Sequence, residues 1–213
     1  VLLLKITVTR GLAELKLLDS RINKKIFGNQ FVSAYKKSSG KIDGAVVLQD
    51  FEKNVQSNFA SIIDLIERRK KIKEAIVKSN ANTIVEINNK KMTVASAIER
   101  KESIQYEKNL LEEFQTQFSQ AKSQMNKYND EMYEKLDELL MVSFGKDGKQ
   151  KVDESEIKSI SKPYIEQNEW VLADPLQIEE KIKQLEEDID GFLTEVDYAL
   201  SISNATTFIE IDD

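Results

Sequence analysis

The sequence predicts a mainly α-helical protein. An internally duplicated strand-helix-helix-strand unit should form an antiparallel, coiled-coil-like four-helix bundle, with a small β-sheet at one end and one elongated helical hairpin. Three observations predict it. Lys5-Ile6-Thr7-Val8 returns as Lys91-Met92-Thr93-Val94. The nonapeptide Ser79–Ile87, SNANTIVEI, returns over Ser203–Ile211 as SNATTFIEI, with six of nine positions identical. Between each start motif and each end motif lies a long tract of helical periodicity. Start, tract and end in the same order twice is the mark of an internal duplication. It divides the chain into a first repeat, 1–87, and a second, 88–213, expected to pack as one domain around a shared core.

Residues 5–8 alternate in character and read as a short strand. A helix follows from about Thr9 to Phe27, with Leu12, Leu15, Ile22 and Ile26 among its apolar positions. Gly28, Gly40 and Gly44 break the period and predict a loop over 28–47, long enough to be mobile or functional. In the next helix, from about Leu48 to Lys78, Phe51, Val55, Phe59, Ile62 and Ile66 recur at three- and four-residue steps. Ile72 and Ile76 resume the stripe. Asn80-Ala81-Asn82 is expected to end that helix. The runs Thr83–Ile87 and Lys91–Val94 flank an Asn-Asn turn and predict a β-hairpin, since Asn tolerates positive φ.

From about Val94 to Phe144 no Gly or Pro occurs. Leu111, Phe114, Phe118, Ala121, Met125, Tyr128 and Met132 form a heptad seam on a helix roughly 75 Å long. Gly145–Lys149 reads as a hinge, and Asp153 as the cap of a short helix. Asp174-Pro175-Leu176-Gln177 is expected to open the last helix, whose stripe of Ile178, Ile182, Leu185, Ile189, Phe192, Val196 and Ala199 runs to the second SNA motif. The second helical hairpin is longer than the first, so its tip, 145–170, should project. Four strands are expected to gather in one small sheet.

Charged residues make up 32% of the chain and aromatics 8%, which suits long solvated helices. The formal net charge is −6, but acids and bases interleave, so no nucleic-acid partner is expected. With no Cys and no His, thiol chemistry, the commonest general base and the commonest metal ligand are all missing. No metal, no cofactor and no enzymatic activity is expected. The longest apolar runs are about four residues against the roughly 20 that span a bilayer, and the first residues are too short for a signal peptide. No membrane partner and a cytoplasmic location are expected.

Ile62–Glu107, IIDLIERRKKIKEAIVKSNANTIVEINNKKMTVASAIERKESIQYE, resembles the central part of the uncharacterised septicolysin-like helical proteins. That part has a basic helix, an Asn-Ala-x-Thr turn-strand and a Thr-led helix with an Ala-Ile-x-Arg-Lys motif, here written in Ala97–Lys101. GLAELKLLDSRINKKI from Gly11 resembles their first helix. The resemblance covers about half the chain. It implies an α-helical fold, no established enzymatic activity, and relatives in Gram-positive bacteria and their phages. The helices over 110–144 and 153–200 depart from the short family pattern.

Two clusters are candidate sites. Arg68-Arg69-Lys70-Lys71 with Lys73 is the densest basic run. Its plain reading is a solvated face paired with acidic helices. The sharper one starts from the SNA alignment, which sets Arg68 and Arg69 where the second copy has Phe192 and Leu193. Two guanidiniums at a core-like position, with Lys73, would suit an anion-binding pocket. Trp170, the only Trp, lies near Tyr164 beside the tip loop with Lys146 and Lys149. These four are candidate partner-binding residues, because Trp and Tyr dominate interface hot spots. GKDGKQKVDESE lacks the alternating acids of a calcium loop and is expected to be a turn.

The expected function is therefore non-enzymatic: a bacterial or phage protein-protein interaction protein, structural or binding a host factor such as a defence protein, with a homo-oligomer among its possible states. The alternatives are a binder of a small phosphorylated ligand through the Arg-lined pocket, and a membrane-active cytolysin-like protein.

Overall fold

A computed structural model describes residues 3–42, 46–145 and 153–212. In chain order the elements are β1 (Leu3–Thr7), α1 (Val8–Phe27), β2 (Lys41–Ile42), β3 (Val46–Val47), α2 (Leu48–Asn82), β4 (Ile84–Ile87), β5 (Lys90–Thr93), α3 (Val94–Phe144), α4 (Glu154–Asn168), α5 (Ile178–Thr206) and β6 (Phe208–Asp212). The protein is mainly helical, with small antiparallel sheets. Two compact units divide it: 1–102 together with 191–213, and 103–190. The divisions fall inside α3 and α5, whereas the sequence repeats meet at Ile87 and Asn88.

In the first unit, β1 runs straight into α1 because Thr7 caps the helix, its hydroxyl accepting the Arg10 N–H at 3.3 Å. Thr93 does the same at the start of α3, accepting from Ser96 N–H at 3.0 Å. Each satisfies one of the orphan donors of a first helical turn. α1 packs on α2, and Ile6, Val8, Leu15, Leu18, Ile22, Ile72, Ile76, Ile209 and Ile211 close one buried cluster with β1 and β6. Each such burial contributes on the order of 1.5–3 kcal/mol. Gly11 lets these layers approach, since a Cβ there would lie 3.0 Å from Ile209 Cδ1 and 3.3 Å from Ile76 Cδ1. Phe59 and Ile66, expected in the α2 stripe, are exposed.

The strands pair as β1·β6, β2·β3 and β4·β5, three separate two-stranded ladders instead of the expected single sheet. The reason is where each ladder rests: β6 packs on α2, whereas β4 lies along the end of α5. In the first ladder Lys5 stands opposite Glu210 and Thr7 opposite Phe208; in the other, Lys91 stands opposite Glu86 and Thr93 opposite Ile84. Beyond each ladder a further backbone bond follows, Val8 N–H to Thr207 C=O and Val94 N–H to Thr83 C=O, both 2.9 Å. The Asn88-Asn89 turn has φ of 50° and 58°, the conformation expected of a tight hairpin with Asn at both central positions. The 28–47 connection carries β2, β3 and a Lys36–Lys41 bridge.

Both SNA motifs are helical, contrary to expectation: α2 runs to Asn82 and α5 to Thr206. The side chains return to the helix instead of breaking it, Asn82 Nδ2 donating to Lys78 C=O at 2.7 Å and Thr206 Oγ1 to Ile202 C=O at 2.9 Å.

The second unit holds the rest of α3, α4 and the start of α5. α3 and α5 run antiparallel within it, joined by Gln115 Nε2 donating to Glu186 Oε1 at 2.6 Å. Asp153 caps α4, accepting Ser155 N–H at 3.2 Å and Ser155 O–H at 2.8 Å. Those bonds, the hydroxyl first, hold its carboxyl below the ordinary carboxylate value. α5 opens later than Pro175. Gln177 takes φ of 56°, so the chain turns once more before the helix, and the Asp174 carboxylate accepts Ile178 N–H at 2.9 and 3.0 Å.

Candidate functional site

Both candidate clusters can be located, with one exception: Lys146 and Lys149 lie outside the described residues. Arg68 and Arg69 leave α2 toward α1. Arg68 Nε meets Glu14 at 3.0 Å and Arg69 Nε meets Asp19 at 2.5 Å. The Asp19 bond raises the Arg69 pKa further. Lys73 is exposed. The two guanidiniums thus each make an ion pair between α2 and α1. Helix pairing of this kind is worth little in exposed positions.

In the second unit, Trp170 follows α4 and is held by its backbone. Its N–H donates to Asn129 Oδ1 at 2.8 Å, and its C=O accepts from Asn129 Nδ2 at 2.9 Å. Its ring stacks on Tyr128, centroids 4.4 Å apart and tilted by 32°. More than half of Trp170 stays exposed, with Val171 beside it more so. Leu172 turns inward, lining a small cavity of about 150 Å³ with Phe114, Phe118 and Ile178. Tyr164 is half-buried on α4. The aromatic that meets Trp170 is Tyr128, assigned from sequence to the α3 seam, and the residue that holds the Trp170 backbone is Asn129. No pattern of spacing singles out that Asn; its role depends on a contact 41 residues away.

A second feature, in the first unit, escaped the sequence reading. A groove of about 720 Å³ runs between β4 and the end of α5, walled by Ile84, Tyr198 and Ile202 with Glu86 and Glu195 along it. Comparing Tyr198 and Ile202 with Glu74 and Lys78, their counterparts in the SNA alignment, would have found it.

Among the described residues no helix is long and apolar enough to cross a membrane. No family model, curated protein or solved structure matches this chain.

Proposed function

We propose that this chain is an internally duplicated, non-enzymatic helical protein whose work is binding another protein, with Trp170 as its anchor. The observation that carries the reading is the Asn129 clamp. It fixes an exposed indole by two backbone hydrogen bonds and a stacking partner, so little conformational entropy is lost on binding. Trp170 and Val171 lie exposed side by side, an aromatic-aliphatic pair that a protein partner can cover.

Duplication is supported by the matched ladders. The register that sets Lys5 on Lys91 and Ser79 on Ser203 carries Lys5–Glu210 onto Lys91–Glu86 and Thr7–Phe208 onto Thr93–Ile84. On this reading two strand-helix-helix-strand copies exchange end strands, and their helices form a four-helix bundle. A bacterial or phage origin, kinship with septicolysin-like proteins and a cytoplasmic place of action belong to the same proposal, as do the two roles of assembly component and host-factor binder.

The test is affinity capture from a Gram-positive lysate with the wild-type chain and Trp170→Ala as paired baits. One protein recovered in a fixed ratio, and reduced about 30-fold with Trp170→Ala, is the expected result, as for a hot-spot Trp. Equal recovery with both baits would remove Trp170 from the role.

A further inference from the structure

The β4–α5 groove has a twin. A second groove, of about 440 Å³, lies between α2 and β6. The register that sets Ser79 on Ser203 superimposes their linings: Ala75 on Ala199, Lys78 on Ile202, Asn82 on Thr206, Ile84 on Phe208 and Glu86 on Glu210. The twin is an internal control, because the same backbone frame is made twice.

Where both grooves agree, the residue answers a demand of the fold. Ala75 and Ala199, or Ser79 and Ser203, sit where strand meets helix. Where they differ, the fold has no preference. α2 carries Lys71, Glu74 and Lys78; α5 carries Glu195, Tyr198 and Ile202 at the same places. Tyr198 is 71% exposed, Ile202 45% and Ile84 58%. Glu and Lys at the twin positions show that solvated residues fit the frame, so packing does not require this apolar wall.

Charge identifies what covers it. The cross-strand pairs Lys91–Glu86 and Lys5–Glu210 cancel alike in the two grooves. What remains is an apolar wall with Glu195 on α5, and on the twin Lys78 beside an exposed Phe208 ring whose face Lys5 Nζ covers at 5.5 Å from the centroid. One surface is apolar and anionic, the other aromatic and cationic, and both belong to this chain.

We propose that copies of this chain associate head to tail, the Phe208–Lys5–Lys78 surface of one copy seating on the Ile84–Tyr198–Ile202 groove of the next. The two surfaces differ, so the contact is heterologous and propagates unless a ring closes it. The inference uses the proposed duplication only to choose equivalent positions, and it is independent of Trp170.

Sedimentation of the full chain from about 1 to about 300 µM tests it, a range suited to small interfaces. The wild type is expected to form dimers and larger species. Ile202→Lys, which installs what the twin carries, and Phe208→Ser should each weaken association at least about tenfold with helicity unchanged. A mixture of these two variants restores one intact contact, so it should assemble to dimers and stop there. Trp170→Ala should associate like wild type, which separates this inference from the partner reading. A chain monomeric throughout, with or without a foreign protein on the groove, overturns the proposal, as does a mixture that fails to dimerise. Loss of association in Trp170→Ala also overturns it.

Discussion

The Arg100 guanidinium lies 4.5 Å above the centre of the Phe192 ring. At the matching places of the first half, Glu14 receives Arg68 at 3.0 Å. If the proposed duplication holds, these are equivalent positions joined by different physics: a cation over an aromatic face in one, an ion pair in the other. Phe192 is fully buried, whereas Arg68 keeps part of its side chain in water. The costs of truncation should differ accordingly. Phe192→Ala is expected to lose about 3–5 kcal/mol through cavity formation, and Arg68→Ala about 1 kcal/mol. Chemical denaturation of both variants decides it, and equal losses would contradict the assignment of Phe192 as core.

Gly191 admits the β4–β5 turn to the flank of α5. A Cβ on Gly191 would lie 2.5 Å from Asn88 Cγ and 2.7 Å from its Oδ1. The Asn88 backbone is held in place, because its N–H donates to Glu195 at 2.6 Å, so the side-chain amide is what must swing aside. Ala normally gains about 1 kcal/mol over Gly within a helix, but overpacking of this kind costs about 1–3 kcal/mol. Gly191→Ala should therefore lower the melting temperature, and a rise would show that the turn does not bear on α5.

Asn89 sits at φ of 58°. Asn89→Gly should be neutral or stabilising, since Gly takes that conformation without strain. Asn89→Val should cost about 1–2 kcal/mol. Thermal unfolding of the pair, with Val at least as stable as Gly, would refute a left-handed turn.

Asp153 gives a pH signature. Its folded pKa is depressed by Ser155, so the stabilisation of α4 is present above the unfolded value and is lost as pH falls through the folded one. The Ser155 amide resonance should titrate with a midpoint below the ordinary carboxylate value, and Ser155→Ala should move that midpoint up. A midpoint at the ordinary value in wild type would mean that the cap does not form.

Some of this was legible in the sequence for definite reasons. The Asn88-Asn89 turn and the length of α3 follow from backbone preferences within a few residues, so spacing and composition report them. The stripe of Ile189, Phe192 and Val196 was equally plain and is buried. Strand partners were not legible, because alternation marks Lys5–Val8 as a strand without naming β6. The late start of α5 was hidden too, since Asp174-Pro175 is a good helix opening and only the positive φ of Gln177 moves it. Of the candidate sites, Trp170 stood out by being unique, but Asn129 and Tyr128 become its partners only through folding. The groove at Ile202 was hidden for another reason: a lone Ile near a heptad stripe looks like core until its twin proves to be Lys78.

The central claim is that the surface around Trp170 holds a foreign protein. The most direct measurement replaces Trp170 or Val171, one at a time, with a photo-crosslinking phenylalanine and irradiates cells or lysate containing the chain. A covalent adduct to one foreign protein from both positions, absent from a control position on the ion-paired α1–α2 face such as Asp19, is the predicted result. No adduct at 170 or 171, with the protein folded and abundant, would contradict it.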